Sequence, residues 1–147
     1  MNMTYGQNGL NLTKSFENCK LMPYRDGGGV WTDGWGNTHR VVPGVAITQE
    51  KADSDLVMNV ADAVDMVNDH VTVPLTQNQF DALVDFAFNC GGPAFKTSTL
   101  LKKLNAGDYA GACAQFARWN KDNGQVVAGL TRRCTARQVL FNQVDAS

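Results

Sequence analysis

A chain of 147 residues, 44% hydrophobic and 18% charged, can bury enough apolar surface for one compact unit or two small lobes sharing a helix, which excludes a disordered chain. A net charge of -1 leaves no basic face for nucleic acid and no general attraction to an anionic cell wall. The opening MNMTYGQNGLNLTK has neither the basic nor the apolar part of a secretory signal, and no apolar run approaches the roughly 20 residues of a membrane span.

Thr4 and Gln7 have capping-box spacing, which predicts a helix from about residue 5, with Tyr5, Gly9, Leu12 and Phe16 on one face and Glu17 near its C-terminal end. Pro23 makes continuation past Met22 unfavourable. Residues 24–37, rich in Gly, Trp and Thr, read as a small antiparallel sheet with turns at Gly27–Gly29 and Asp33–Gly34. A loop containing Pro43-Gly44 follows, and Thr48 then caps a helix running to His70, without a capping box because Lys51 occupies its third position. Ala52, Leu56, Val60, Ala63, Val67 and Val71 form its apolar stripe, and its length suggests a connection between two lobes.

After Pro74, Thr76 caps a helix that turns Phe80, Leu83, Val84, Ala87 and Phe88 inward and ends at Cys90-Gly91-Gly92-Pro93. Thr97 or Ser98 caps a short helix through Leu100, Leu101 and Leu104, and Asn105-Ala106-Gly107 ends it. Asp108 starts a helix carrying Ala112, Cys113, Phe116 and Trp119. Residues 121–129 read as a polar loop and residues 130–141 as the last helix, with Leu130, Cys134, Val139 and Leu140 in the core. The tail from Val144 to Ser147 is expected to fray.

The chemistry concentrates between Glu17 and Gly36. Glu17, Asp26 and Thr32 put two carboxylates and a hydroxyl around glycine turns, which are suitable parts for hydrolysing a glycosidic bond. One carboxyl protonates the leaving oxygen, and the other, with the hydroxyl, holds water or stabilises the developing cation. Such spacing also arises by chance among solvated loop acids. Against chance stand the scarcity of Glu (only Glu17 and Glu50, beside twelve Asp) and the place of Glu17 at the edge of an apolar layer, where desolvation favours a protonated acid. Trp31 and Trp35 either line a sugar groove or cap the small lobe's core. Cys19, Cys90, Cys113 and Cys134 form no CxxC pair and have no zinc-finger partners, so four reduced thiols and no metal are expected, with a Cys113–Cys134 bridge left open. His39 and His70 offer no suggestive setting for a catalytic thiol.

Glu, eight residues, Asp, five residues, Thr resembles the catalytic signature of the phage-type lysozymes, the T4-lysozyme-like muramidases of glycoside hydrolase family 24. PYRDGGGVWTDGWGNT is similar to that family's strand region, and LTQNQFDALVDFAFNCG, STLLKKLN and the RW…GLTRR run are similar to its C-terminal lobe, especially in lambdoid-phage endolysins. The resemblance spans about residues 4 to 142. It implies an α+β, mainly α fold: an N-terminal lobe over about 1–48, a linking helix over 49–70, a helical C-terminal lobe over 71–147, and a glycan cleft between lobes. It implies hydrolysis of the β-1,4 bond between N-acetylmuramic acid and N-acetylglucosamine, with Glu17 as general acid, Asp26 and Thr32 positioning water, and Trp35 and Asn89 binding substrate.

No cofactor, nucleic acid or membrane span is implied. The expected enzyme is a monomer acting on peptidoglycan strands, held in the host cytoplasm until a separate system such as a holin releases it to the periplasm and wall. Two positions depart from the family pattern: Asn37 stands where a His is usual after the strand, and Ala136 stands where many members have Glu. The competing readings are a lytic transglycosylase, which has no need of the Asp26–Thr32 pair, a non-catalytic glycan-binding or virion structural module on the same fold, and a protein-interaction scaffold.

Overall fold

The computed structural model describes residues 2–144, so residues 145–147 of the expected frayed tail lie outside the described residues. Its elements are α1 (Gln7–Phe16), β1 (Lys20–Arg25), β2 (Trp31–Gly34), α2 (Gln49–His70), α3 (Gln77–Cys90), α4 (Gly92–Thr97), α5 (Thr99–Asn105), α6 (Tyr109–Gln115), a 3-10 turn (Phe116–Arg118), β3 (Lys121–Asp122), β4 (Gln125–Val126) and α7 (Ala128–Asn142). They divide into a small unit, Lys14–Ala61, and a helical unit made of the described residues of Met1–Thr13 and Asp62–Ser147. α1 and α2 each run from one unit into the other.

The first residues therefore belong with the helical unit and not, as the sequence reading had it, with an N-terminal lobe. The reason is a buried carboxylate. Asp81 of α3 accepts the backbone N–H of Gly6 at 2.9 Å and of Gly9 at 3.1 Å, so the start of α1 is capped from another helix and not by Thr4. α1 begins at Gln7, two residues later than predicted, and Tyr5 lies ahead of it. Gly9 is a packing necessity: a Cβ there would come within 2.2 Å of the Tyr5 ring and 2.8 Å of Asp81 Cβ.

α3 is the centre of the helical unit. Every residue from Phe80 to Ala87 is buried, so the helix has no wet face along that stretch. Thr76 and Gln79 close its N-terminus with a reciprocal capping box. Phe86 meets Phe95, Phe116 and Trp119 edge-on at centroid distances of 6.0, 5.7 and 5.1 Å, and Phe116 meets Phe141 at 5.9 Å. Ser98 caps α5 and Asp108 caps α6 through Leu101 and Gly111 N–H groups.

The breakers end α3 at Cys90 as expected, and a short helix absent from the sequence reading, α4, follows at once, with Gly91 at φ 92° and Pro93 in its first turn. Three other local expectations need correction. The helix begun at Asp108 stops at Gln115 and tightens into the 3-10 turn before Trp119. Residues 121–126 are a hairpin, Lys121 opposite Val126 and Asp122 opposite Gln125, around Asn123 (φ 51°) and Gly124 (φ 77°). α7 begins at Ala128, ahead of Leu130, and its buried face is Arg133, Cys134, Arg137, Leu140 and Phe141, which leaves Val139 63% exposed. Excluding charge from the core selects the wrong side of that helix, because both arginines point inward.

The cysteines are all free, so the Cys113–Cys134 bridge is absent. Burial pushes the Cys90, Cys113 and Cys134 thiols up from their ordinary value. A thiol reagent added to the native protein should therefore label these three slowly while activity persists in reductant. Fast labelling at Cys113 or Cys134 with parallel loss of activity would contradict the packing.

Candidate active site

Glu17, Asp26 and Thr32 all lie in the small unit. Glu17 is half-buried in the bend that follows α1. The strand after it starts at Lys20, earlier than the residue 24 boundary read from sequence, because Pro23 sits inside β1. A proline is tolerated there since the β1–β2 register is irregular between Lys20 and Tyr24, where no ladder N–H is required of it.

Beyond the irregularity, Tyr24 pairs with Thr32 and Arg25 with Trp31. Strand alternation then gives Tyr24, Thr32 and, one step past β1, Asp26 the same face, and turns Arg25 and Trp31 to the other. There the Arg25 guanidinium lies 5.1 Å from the Trp31 ring centre.

The loop 26–30 is held by its own first residue. Asp26 O accepts Gly29 N–H, Asp26 N–H donates to Val30 O, and Asp26 Oδ1 accepts the N–H of Gly28 at 2.9 Å and of Val30 at 2.8 Å. Thr32 donates its hydroxyl to Val30 O at 3.0 Å. The two side chains thus grip the same peptide residue, Asp26 at its N–H and Thr32 at its C=O. Asp26 is exposed and Thr32 is 4% exposed.

The turn that follows β2 is Gly34-Trp35-Gly36, closed by reciprocal backbone bonds between Asp33 and Asn37, and not the expected Asp33–Gly34 turn. Asn37 is 3% exposed and fully engaged. Its Nδ2 donates to Asp33 Oδ1 and His39 O, both at 2.9 Å, and its Oδ1 accepts from His39 N–H at 3.3 Å and Asn59 Nδ2 at 3.1 Å. An uncharged amide therefore supports this turn where the family pattern has a His. The turn brings Gly36, at φ 85°, against Glu17, so that a Cβ on residue 36 would stand 3.9 Å from Glu17 Oε2.

Trp35 donates its indole N–H to Asp53 Oδ1 at 2.8 Å, and Gln49 Nε2 donates to the same oxygen at 3.0 Å. These two hydrogen bonds hold the Asp53 carboxyl below its usual range. Lys14 Nζ is 3.4 Å from Asp53 Oδ1 and 5.6 Å from the Trp35 ring centre.

Asn89 belongs to the helical unit. Its Oδ1 accepts from Arg137 Nη2 at 2.8 Å, and it lines a cavity of about 490 Å³ with Cys90, Trp119, Lys121, Asp122, Val127 and Leu130. Among the described residues no three His, Cys, Asp or Glu side chains are grouped to hold a metal ion. Two residues escaped the sequence reading. Asp53 had no motif to mark it. Asp85 had one: Asp81 and Asp85 stand four apart on the apolar face of α3, a costly placement unless both are partnered.

A family model described as phage lysozyme matches residues 14–137. The endolysin of Acyrthosiphon pisum secondary endosymbiont phage 1 is 45% identical over 143 residues, covering 95% of this chain and 98% of that one. The endolysin of Bacillus phage PZA is also 45% identical over 143 residues and 95% of this chain, which spans 55% of that protein's length. Among solved structures, the muramidase domain of SpmX from Asticaccaulis excentricus matches with a TM-score of 0.89 at 37% identity, over 96% of this chain and 99% of that one.

Proposed function

Because the chain belongs to the phage lysozyme family, we propose that it is an endolysin: a muramidase that hydrolyses the β-1,4 bond between N-acetylmuramic acid and N-acetylglucosamine in peptidoglycan, for host cell lysis. The observation that carries this reading is the Asp26–Val30–Thr32 grip in the same unit as Glu17. Glu17 is the general acid and protonates the leaving glycosidic oxygen. Thr32 has given its only proton to Val30 O, so its oxygen is left as an acceptor. One water that donates to Thr32 Oγ1 and to the Asp26 carboxylate has both protons engaged; its lone pair attacks the anomeric carbon as Asp26, the general base, takes one of those protons and the C–O bond to the leaving oxygen breaks. Attack on the face opposite the leaving group inverts that carbon, and no covalent sugar–enzyme adduct forms.

Trp35 and Asn89 bind substrate in this proposal. Trp35 offers a ring whose edge is fixed by Asp53, and Asn89 an amide whose oxygen is fixed by Arg137, so each presents one defined polar or apolar surface to sugar. Release of the enzyme from the host cytoplasm to the wall by a separate protein such as a holin rests on the kinship with endolysins alone.

Loss of turbidity of chloroform-treated Gram-negative cells should separate a catalyst from a binding module. Mass spectrometry of the released fragments should find reducing muramic acid ends, whereas anhydro ends would mean a transglycosylase. NMR should find the α-anomer at the new reducing end before mutarotation. A β-anomer at early times would mean retention, and the paired-acceptor water would be wrong.

A further inference from the structure

We propose that Asp53 is a positioning residue of this reaction, holding the two backbone segments that frame the Glu17 carboxyl group. The proposal rests on the general-acid reading of Glu17. Its geometric basis is one carboxylate oxygen with three donors from three places. Trp35 Nε1 reaches Asp53 Oδ1 at 2.8 Å, and Trp35 is the neighbour of Gly36, where a side-chain Cβ would stand 3.9 Å from Glu17 Oε2. Lys14 Nζ lies 3.4 Å from the same oxygen, and Lys14 is three residues before Glu17 at the C-terminal end of α1. Gln49 Nε2, in the first turn of α2, donates at 3.0 Å and fixes the carboxylate's own direction.

Both routes to Glu17, along the chain through α1 and across space through Gly36, therefore meet at one atom of a residue that carries no motif. Exposed ion pairs of this kind contribute little to stability, so a contact kept for stability alone is a poor account of three converging donors. Misplacing a reacting group by about 1 Å costs on the order of a hundredfold in rate, so a contact kept for position has a large kinetic effect.

The test compares D53A, D53N and W35F by kcat and KM on solubilised, uncrosslinked peptidoglycan strands, together with the NMR signals of the Trp35 indole N–H and the Gly36 amide. D53A should lower kcat at least tenfold, should raise KM by a smaller factor because Trp35 loses its fixed edge, and should move both signals. D53N keeps an acceptor oxygen for the indole and should recover most of the loss. W35F keeps an aromatic ring without the donor, and adding D53A to it should cost little more. The proposal is overturned by a D53A kcat within twofold of wild type, by a loss that leaves the Gly36 amide unmoved, or by D53N behaving as D53A. If E17Q retains activity, the acid assignment has failed instead, and the NMR coupling of Asp53 to Gly36 still reads independently.

Discussion

Glu17→Gln should abolish lysis while leaving the thermal transition unchanged. The amide is nearly the same size and shape as the carboxyl group, and Glu17 lies half-buried in the bend that follows α1, so the substitution creates no cavity. What changes is the proton. A glycosidic oxygen leaves poorly as an alkoxide, and a positioned acid contributes roughly 10²–10⁴-fold to the rate. Residual turbidity clearance on the order of one percent or less is therefore expected, against unaltered circular dichroism and Tm. Clearance above about a tenth of wild type would remove Glu17 from the acid role, since a group worth at least a hundredfold cannot be lost so cheaply.

The largest effect on stability is expected at Asp85→Asn. Asp85 is fully buried on α3 and accepts from Arg133 Nη2 and Arg137 Nε, both at 2.7 Å, from Arg133 Nε at 3.1 Å, and from the Thr13 hydroxyl at 2.7 Å. Arg133 and Arg137 are themselves 4% and 0% exposed. The amide keeps one acceptor for Thr13 but withdraws the Asp85 charge from two buried guanidinium groups. Removing one partner of a buried ion pair costs roughly 3–5 kcal/mol. For a chain of this size that is a fall in Tm of roughly 10 °C or more. Arg137→Met should cost less when combined with Asp85→Asn than in wild type, because the carboxylate that Arg137 pairs with is by then gone. A fall of only a few degrees, or simple additivity, would contradict this account.

The same carboxylate sets an acid limit. Burial alone pushes the Asp85 carboxyl up, but the Arg133 hydrogen bonds and the charges of Arg137 and Arg133 outweigh it and hold it below the usual range. A folded value below the unfolded one gives stability that is present above about pH 4 and lost as the pH falls from there through the folded value. Wild-type stability should therefore decline below about pH 4 with one more proton taken up on unfolding than in Asp85→Asn. Parallel acid-unfolding curves would assign that proton elsewhere.

Local signals carried much of the fold. Thr48 capping α2, the Thr76–Gln79 box, Asp108 capping α6 and the stripe Ala52, Leu56, Val60, Ala63 and Val67 depend on groups within a turn or two of one another, so the chain states them directly. Asn123-Gly124 was equally legible as a hairpin turn; it was obscured because Lys121-Asp122 and Gln125-Val126 show no apolar alternation. The signature of Glu17, Asp26 and Thr32 was readable as residue types at a spacing, and the glycines between Asp26 and Val30 allowed the tight loop.

Tertiary structure alone decided the rest, wherever a side chain acts on a residue distant in sequence. Asp81 caps α1 from far along the chain, which no local rule for Thr4 anticipates. Asp85 draws Arg133 and Arg137 into the core and so turns α7 to expose Val139, reversing the polarity that composition suggests. Asp53 meets Trp35 and Lys14 only because β2 and α1 return to the same end of α2. A sequence determines where helices, turns and chemically capable side chains occur, because propensity and capping act over a few residues. It leaves open which buried charge finds which partner, because desolvation is offset only by groups that the finished packing brings together.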